Sequence, residues 1–236
     1  IIIETEILKP LIKGEIVKRF SPVNSKECVL FTYKEMGGRF KLIEENELKK
    51  YPNAYKYLKL FEKELRKREN NRFDNKDWFC FSRNQGMSYI NVEKILTPDI
   101  CKKGQSSLDS SGKFLTTTTV YGIIPKDKND LKYLLALLNS SLLQYFIKKT
   151  GSILRGGFYR YKTAYLKPFP VPKINDSPKQ DIEKLVDKMT SLTKRLNEIG
   201  EKKVDERTKI EDEISKVDNE INEIVYKLYG ITELEK

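Results

Sequence analysis

The stretch LLALLNSSLLQYFIKKTGSILRGGFYRYKTAYLKPFPVPK, residues 134–173, decides how this chain of 236 residues is organised. It opens with an apolar segment, typical of a buried helix, that carries the polar sequence Asn139-Ser140-Ser141. A segment rich in glycine and arginine follows at residues 155–161, which read RGGFYRY. Three prolines at alternate positions then favour extended backbone and prevent a helix from continuing. We therefore place a domain boundary after residue 174.

Beyond that boundary the sequence contains two heptad patterns. Apolar residues recur at alternating steps of three and four over residues 182–199 and again over residues 210–228. This spacing predicts two helices with apolar seams, separated by a polar segment that starts at Gly200. Asp176 or Ser177 can cap the first helix. We expect an antiparallel, coiled-coil-like α-helical hairpin that serves as a spacer or docking arm.

Residues 1–174 mix strand and helix patterns without a regular βαβ repeat. Compact β-branched and aromatic runs predict strands, whereas longer apolar periodicities predict helices. The predicted strands lie at residues 28–33, 78–81, 94–96, 113–115 and 117–124, and the predicted helical segments at 7–20 (a helix or turn), 52–68 and 130–148. We expect an α+β fold with a mixed, mostly antiparallel, curved sheet and helices, followed by the helical hairpin.

The net charge of +11 is unevenly distributed along the chain. Residues 1–174 contain 33 Lys+Arg and 18 Asp+Glu, a balance of +15, whereas residues 175–236 contain 12 and 16, a balance of −4. A field of positive sign attracts polyanions and raises their rate of encounter. A basic domain without a nucleic-acid partner is the alternative that charge alone leaves open.

Several classes of protein are disfavoured by what the sequence lacks. Histidine is absent, and Cys28, Cys80 and Cys101 have no CxxC spacing, so the usual general base and the usual zinc and disulfide patterns are missing. Reduced thiols in a cytoplasm are the expected state. No apolar run approaches the length that crosses a bilayer, so we expect no membrane partner. The start at Ile1, without methionine, is interpreted as that of a fragment of a longer polypeptide.

Four polar segments are candidates for contacts with DNA. Arginine, asparagine and glutamine can make paired hydrogen bonds to base edges, whereas lysine suits phosphate. The candidates are Arg155, Arg160 and Lys162 in the aromatic segment, Arg83, Asn84 and Gln85, then Lys102, Lys103 and Gln105, and Arg39 after a Gly-Gly turn. We expect the loops at residues 83–85 and 155–160 to converge on one side of the sheet. Each segment is also compatible with an ordinary polar surface loop.

The order of LLNSSLL, LRGGFYRYK and YLKPFPVPK resembles that in TaqI-like C-terminal specificity domains of adenine-specific type II restriction–modification enzymes. ILKPLIKGEIVKRF, YPNAYKYLKLFEKELRKR and INEIVYKLYGIT extend the resemblance over nearly the whole chain. It implies a target-recognition domain for double-stranded DNA that follows a methyltransferase domain in the same polypeptide. S-adenosylmethionine is then the cofactor of that methyltransferase domain, and this chain holds no cofactor of its own. Residues 83–111 depart most from the family pattern.

The leading interpretation is a sequence-specific double-stranded DNA recognition module, residues 1–174, joined to the hairpin of residues 175–236. The chain lacks the Asn/Asp-Pro-Pro motif and the glycine-rich loop of such methyltransferases, so we predict that it is not catalytic by itself. One alternative is a structural or docking module whose basic domain binds RNA or an acidic partner. The other is a stand-alone nuclease that uses Asp99 with Asp130 and Lys132, although that pattern arises easily by chance and Asp130 also suits a helix N-terminus.

Overall fold

Short strands and helices succeed one another along the chain, as its brief apolar runs dictate. The structure, a computed structural model, describes residues 2–84, 86–200 and 204–236. The strands within those residues are β1 (Leu8–Ile12), β2 (Cys28–Leu30), β3 (Tyr33–Met36), β4 (Arg39–Leu42), β5 (Lys94–Pro98), β6 (Ile100–Cys101), β7 (Ser107–Asp109), β8 (Leu115–Thr116), β9 (Val120–Ile123), β10 (Ile153–Leu154) and β11 (Phe158–Arg160). The helices are α1 (Glu45–Leu48), α2 (Pro52–Leu60), α3 (Glu62–Asn71), α4 (Leu131–Asn139), α5 (Ser141–Thr150), α6 (Thr163–Leu166), α7 (Asp176–Ile199) and α8 (Val204–Leu228).

The strands are distributed over several small sheets. Among the described residues the strand orders are β2-β1-β8, β10-β11-β6, β3-β4 and β7-β5-β9. The pair β1–β8 is parallel, and the other pairs in these sheets are antiparallel. The predicted α+β class with mostly antiparallel strands is therefore confirmed. Strands of two to five residues end before a wide continuous sheet can form, so the sheet surface is divided.

The helix predicted over residues 52–68 is divided at Phe61 into α2 and α3. Two further local predictions in the first half of the chain are wrong because distant contacts override the local pattern. The segment predicted as a helix or turn at residues 7–20 contains strand β1, which pairs with β2 on one side and with β8 on the other. The strand predicted at residues 78–81 is a turn. The guanidinium of Arg68 donates hydrogen bonds to the carbonyls of Trp78 and Cys80, at 2.8 and 2.9 Å, and these bonds replace a strand partner.

The single helix predicted over residues 130–148 is also wrong, because it breaks into α4 and α5 at Ser140. Ser140 has extended backbone angles, with φ −71° and ψ 153°. Its hydroxyl accepts a hydrogen bond from the N–H of Leu143 at 3.1 Å, which is the usual interaction of a helix N-cap. Serine competes with the helix for backbone hydrogen bonds, so one residue redirects an otherwise continuous apolar run.

Strand β5 is buried along its whole length and leads directly to Asp99. Its first residue, Lys94, is fully buried and donates to the carboxylate of Asp109 at 2.7 Å and to the carbonyl of Gly112 at 3.0 Å. A buried ammonium requires such partners, since a charge without them is expensive to desolvate. The pair fixes β5 against β7.

The C-terminal helices α7 and α8 form the predicted antiparallel hairpin. Lys188 pairs with Glu213 and Arg195 pairs with Glu206, so partner numbers fall along α8 as they rise along α7. The predicted caps at Asp176 and Ser177 are wrong: the N-cap position is Asn175, which makes no side-chain capping hydrogen bond.

The hairpin buries more than the predicted seam. Its fully buried side chains are Ile182, Val186, Met189, Val217, Ile221 and Val225. Val186 and Val225 lie outside the predicted seam, and they are buried because α7 packs on α4 and α8 packs on α5. The hairpin and the helices of residues 131–150 therefore share one apolar core.

We expect Val217→Asp to lower the free energy of unfolding by more than about 3 kcal/mol, because it places an unpaired charge inside this core. Urea denaturation followed by circular dichroism at the helical wavelengths measures the change. Ser215→Asp is the matched control, since it adds the same charge at an exposed position of the same helix. Equal midpoints for the two variants would contradict the assignment of the buried face.

Candidate nucleic-acid interface

The aromatic segment of residues 155–161 forms the turn and second strand of a small hairpin. Gly156 and Gly157 have φ of 84° and 76°, backbone angles that residues with a side chain rarely adopt. These two glycines allow the chain to reverse from β10 into β11. Strand β11 also pairs with β6, with Tyr159 opposite Cys101 and Arg160 opposite Ile100. The three-stranded sheet thus joins two candidate segments that lie more than fifty residues apart in sequence.

Alternation along these strands separates an inner face from an outer face. Cys101 is buried on the inner face, and burial raises the pKa of its thiol to about 12. The thiol is therefore protonated at neutral pH and is a poor nucleophile. Ile100 and Arg160 lie on the outer face, where Ile100 is 43% exposed.

Arg160 is held on the outer face by an acidic partner. Its Nη1 donates to Asp99 Oδ2 at 2.7 Å. Asp99 is fixed in turn, because its N–H donates to the carbonyl of Thr119 at 2.8 Å and its own carbonyl accepts from the N–H of Tyr161 at 2.6 Å. The hydroxyl of Tyr121 adds a long contact of 3.4 Å to Asp99 Oδ1. Asp99 is also one of the two carboxylates of the nuclease pattern, and in the structure it pairs with Arg160.

The loop of residues 102–105 lies beside the aromatic hairpin. The ammonium of Lys102 is 5.2 Å from the centre of the Phe158 ring, a cation–π distance. Lys103 is exposed, and Gln105 is half-buried. A side chain at Gly104 would meet the carbonyl oxygen of Leu138 at 2.5 Å, so only glycine allows this loop to approach the end of α4 so closely.

An open groove of about 590 Å³ lies between this loop and the N-terminal strand. Its walls include Asp99, Gln105 and Phe158, which belong to the candidate segments or adjoin them. They also include Lys13, Gly14, Thr117 and Thr119, which sequence reasoning missed. The N–H of Gly14 donates to the hydroxyl of Thr119 at 3.2 Å. The only sequence signal for this wall is the glycine next to a lysine, because the parallel β1–β8 pairing that creates it spans a hundred residues.

The other two candidates of the aromatic segment lie at its edges. Arg155 is exposed, and its side chain makes no hydrogen bond or ion pair within the described ranges. Lys162 lies immediately before α6, with its ammonium 5.2 Å from the centre of the Tyr165 ring. Both cations can therefore turn towards an anionic ligand at small cost.

The remaining candidates occupy a second group. Arg39 follows the turn of the β3–β4 hairpin and is exposed. Arg83 forms an ion pair with Glu69 at 2.7 Å, and Asn84 beside it is exposed. Gln85 lies outside the described residues. The two groups rest on different apolar clusters and share no hydrogen bond or ion pair in the part of the chain that the structure describes, so their convergence on one face stays a prediction.

Asn139 connects the loop of residues 102–105 to the helical core. Its side-chain oxygen accepts from the N–H of Ser106 at 2.8 Å, and its side-chain nitrogen donates to the Ser106 carbonyl at 3.0 Å. The Asn139 carbonyl accepts from Arg19, which also pairs with Asp218 of α8. The neighbouring N–H of Ser141 donates to Asn222 Oδ1 at 2.8 Å.

The acidic residues of the site show no arrangement suited to a metal. Asp130 pairs with Lys179 at 2.6 Å, whereas Asp99 pairs with Arg160. Within residues 2–84, 86–200 and 204–236, no group of three His, Cys, Asp or Glu side chains could hold a metal ion. No helix in those ranges is long and apolar enough to span a membrane.

Comparison with known proteins identifies relatives over most of the chain. The family model of the TaqI-like C-terminal specificity domain matches residues 9–171. The type II restriction enzyme and methyltransferase RM.Eco57I of Escherichia coli is 27% identical over 214 residues, which cover 84% of this chain and 21% of that protein. The type II methyltransferase M.BanIII of Aneurinibacillus aneurinilyticus is 25% identical over 185 residues, which cover 76% of this chain and 31% of that protein.

A solved structure of the type IIL restriction-modification enzyme MmeI in complex with DNA has a similar fold. The match has a TM-score of 0.63 at 14% sequence identity and covers 96% of this chain and 28% of that chain. The chain thus spans between a fifth and a third of the length of each of these relatives.

We expect Asn139→Ala to lower the free energy of unfolding by about 1–3 kcal/mol, because the buried N–H of Ser106 loses its acceptor and the Ser106 carbonyl keeps only the N–H of Phe20. Chemical denaturation measures the change. Asn219→Ala is the control, since Asn219 is exposed on α8 and its side chain makes no hydrogen bond within the described ranges. A loss in the control as large as that in Asn139→Ala would show that the paired hydrogen bonds contribute nothing.

Proposed function

The chain belongs to the family of TaqI-like C-terminal specificity domains, and on that premise we propose that it recognises a specific sequence of double-stranded DNA for a restriction–modification enzyme. The observation that carries the proposal is the family match over residues 9–171. The names of the relatives agree with it, because they include type II methyltransferases and a combined restriction enzyme and methyltransferase.

The distribution of charge supports duplex DNA as the partner. Residues 1–174 carry the balance of +15, and residues 175–236 carry −4. Neutralising phosphates with lysine and arginine releases counterions, and this term dominates non-specific affinity. We therefore propose residues 1–174 as the DNA-binding part and the hairpin as a scaffold that orients it against the methyltransferase domain of the same polypeptide.

The candidate residues divide by chemistry into readers and phosphate contacts. Arginine and amide side chains can form paired hydrogen bonds to base edges, and in this role we propose Arg39, Arg83, Asn84, Gln85, Gln105, Arg155 and Arg160. Lysine is a compact point charge, so we propose Lys102, Lys103 and Lys162 as phosphate contacts. The cation–π contact of Lys102 with Phe158 holds that ammonium above the outer face of the small sheet.

We propose that the chain contributes recognition and no chemistry. It contains neither the Asn/Asp-Pro-Pro motif nor the glycine-rich loop expected of such methyltransferases. Methyl transfer and the binding of S-adenosylmethionine then belong to the methyltransferase domain of the parent enzyme, which acts in the cytoplasm.

The proposal predicts a selected consensus when the chain of residues 1–236 is incubated with a pool of random-sequence duplexes. The logarithm of its binding constant should fall linearly with the logarithm of the salt concentration. Lys102→Ala and Lys103→Ala should each weaken binding to all DNA sequences alike and reduce the salt slope by about 1. Filter binding or fluorescence anisotropy at several salt concentrations provides the slopes.

Lys209→Ala is the matched control, because it removes the same charge from an exposed position in the acidic hairpin. Its slope should equal that of the unmodified chain. Recovery of no consensus, together with equal affinity for duplex DNA and for RNA of the same length, would favour a general polyanion-binding module instead.

A further inference from the structure

The arginines of the structure differ in how their guanidinium groups are held. Arg19 and Arg68 each donate from Nε and from Nη2 to backbone carbonyls, so the edge formed by those two nitrogens is occupied within the protein. The guanidinium of Arg160 donates only from Nη1, to Asp99. Its Nε and Nη2 have no partner among the described residues. The edge formed by those two nitrogens is therefore available to a ligand.

The partner of Arg160 is rigidly placed. Asp99 follows the buried strand β5, and its backbone is hydrogen-bonded on both sides, to Thr119 and Tyr161. The side chain of Asp99 is 15% exposed, whereas that of Arg160 is 38% exposed. Asp99 thus acts as a fixed support from which the guanidinium projects outward.

An aspartate at this position is unfavourable for the binding of an anion. Asp99 lines the groove together with Lys13, Glu15 and Gln105. A carboxylate there repels phosphate, and a partly exposed ion pair contributes little to the stability of the fold. The same carboxylate restrains the guanidinium to one orientation, which lowers the entropic cost of a paired hydrogen bond to a base.

We propose that Asp99 is a specificity-determining positioning residue, which orients Arg160 so that its Nε–H and Nη2–H read the N7 and O6 atoms of a guanine in duplex DNA. This inference rests on the proposed function. Arg155 lacks such a support, while Arg83 is held by the more exposed Glu69.

The test is a binding-site selection with the chain of residues 1–236 and with Arg160→Ala, Asp99→Ala and the double variant. Arg160→Ala and Asp99→Ala should lose the preference for guanine at the same base pair, and the double variant should match Arg160→Ala. Asp99→Asn keeps an acceptor for Nη1, so it should retain more of that preference than Asp99→Ala. Melting curves that match those of the parent establish that each variant is folded.

Affinity for a non-cognate duplex separates positioning from a merely structural role. Asp99→Ala should bind this duplex as tightly as the parent or more tightly, because a repelling charge is removed. Asp187→Ala is the matched control. Asp187 lies on the hairpin and forms an exposed ion pair with Lys132, so the substitution also removes a paired carboxylate. The control should keep the parent consensus.

A modified base identifies the atoms that are read. Replacing the selected guanine by 7-deazaguanine removes the N7 acceptor. This change should lower the affinity of the parent about tenfold and leave the affinity of Arg160→Ala unchanged. A parent consensus that persists in Arg160→Ala or in Asp99→Ala overturns the inference and leaves the proposed function standing. A uniform loss of affinity in Asp99→Ala, without relaxed preference, also overturns it. A parent that selects no consensus contradicts the proposed function itself.

Discussion

Asn139 and Ser140 are buried at the break between two helices, and their polar groups require partners inside the protein. Ser140 finds its partners in the adjoining helical turns, whereas those of Asn139 come from the distant Ser106 backbone and Arg19 side chain. The N–H of the neighbouring Ser141 donates to the Asn222 side chain. A buried network of this kind specifies one arrangement, because an unpaired member is costly in a low dielectric. Gly104 and Gln105 immediately precede Ser106, so the geometry of the candidate interface depends on this break.

The hairpin is joined to the same network. Asp218 and Asn222 lie on α8, and the apolar faces of α7 and α8 pack on α4 and α5. The acidic hairpin and the basic residues 1–174 are therefore connected by a shared core and by partly buried hydrogen bonds. The scaffold role proposed for the hairpin relies on this attachment, because close-packed interiors deform little.

Arginine serves two purposes in this molecule, and its surroundings separate them. Arg19 and Arg68 satisfy backbone carbonyls at positions where the chain leaves regular structure. Among the described residues, Arg39 and Arg155 are exposed without side-chain partners, and the guanidinium of Arg160 is held at Nη1 alone. Among the arginines proposed as base readers, Arg160 is thus preorganised by a partner of low exposure, whereas Arg39 and Arg155 are free to change orientation.

Much of the architecture is determined by local sequence. The heptad patterns predict α7 and α8, the charge division predicts which part meets a polyanion, and the quoted stretch of residues 134–173 predicts the family. The heptads also predict that Met189 and Val217 are buried, since a period of 3.5 residues places them on one face. These features follow from short-range periodicity and composition, which a sequence carries without reference to distant residues.

The tertiary structure decided what depends on partners far along the chain. Strand β1 exists because β2 and β8 supply hydrogen bonds, residues 78–81 turn because Arg68 binds their carbonyls, and Val186 is buried because the hairpin packs on α4. The groove wall of Gly14 and Thr119 and the Asp99–Arg160 pair likewise join segments that are 105 and 61 residues apart. No local pattern encodes such pairs, because the free energy that selects them comes from contacts formed only when the chain has folded.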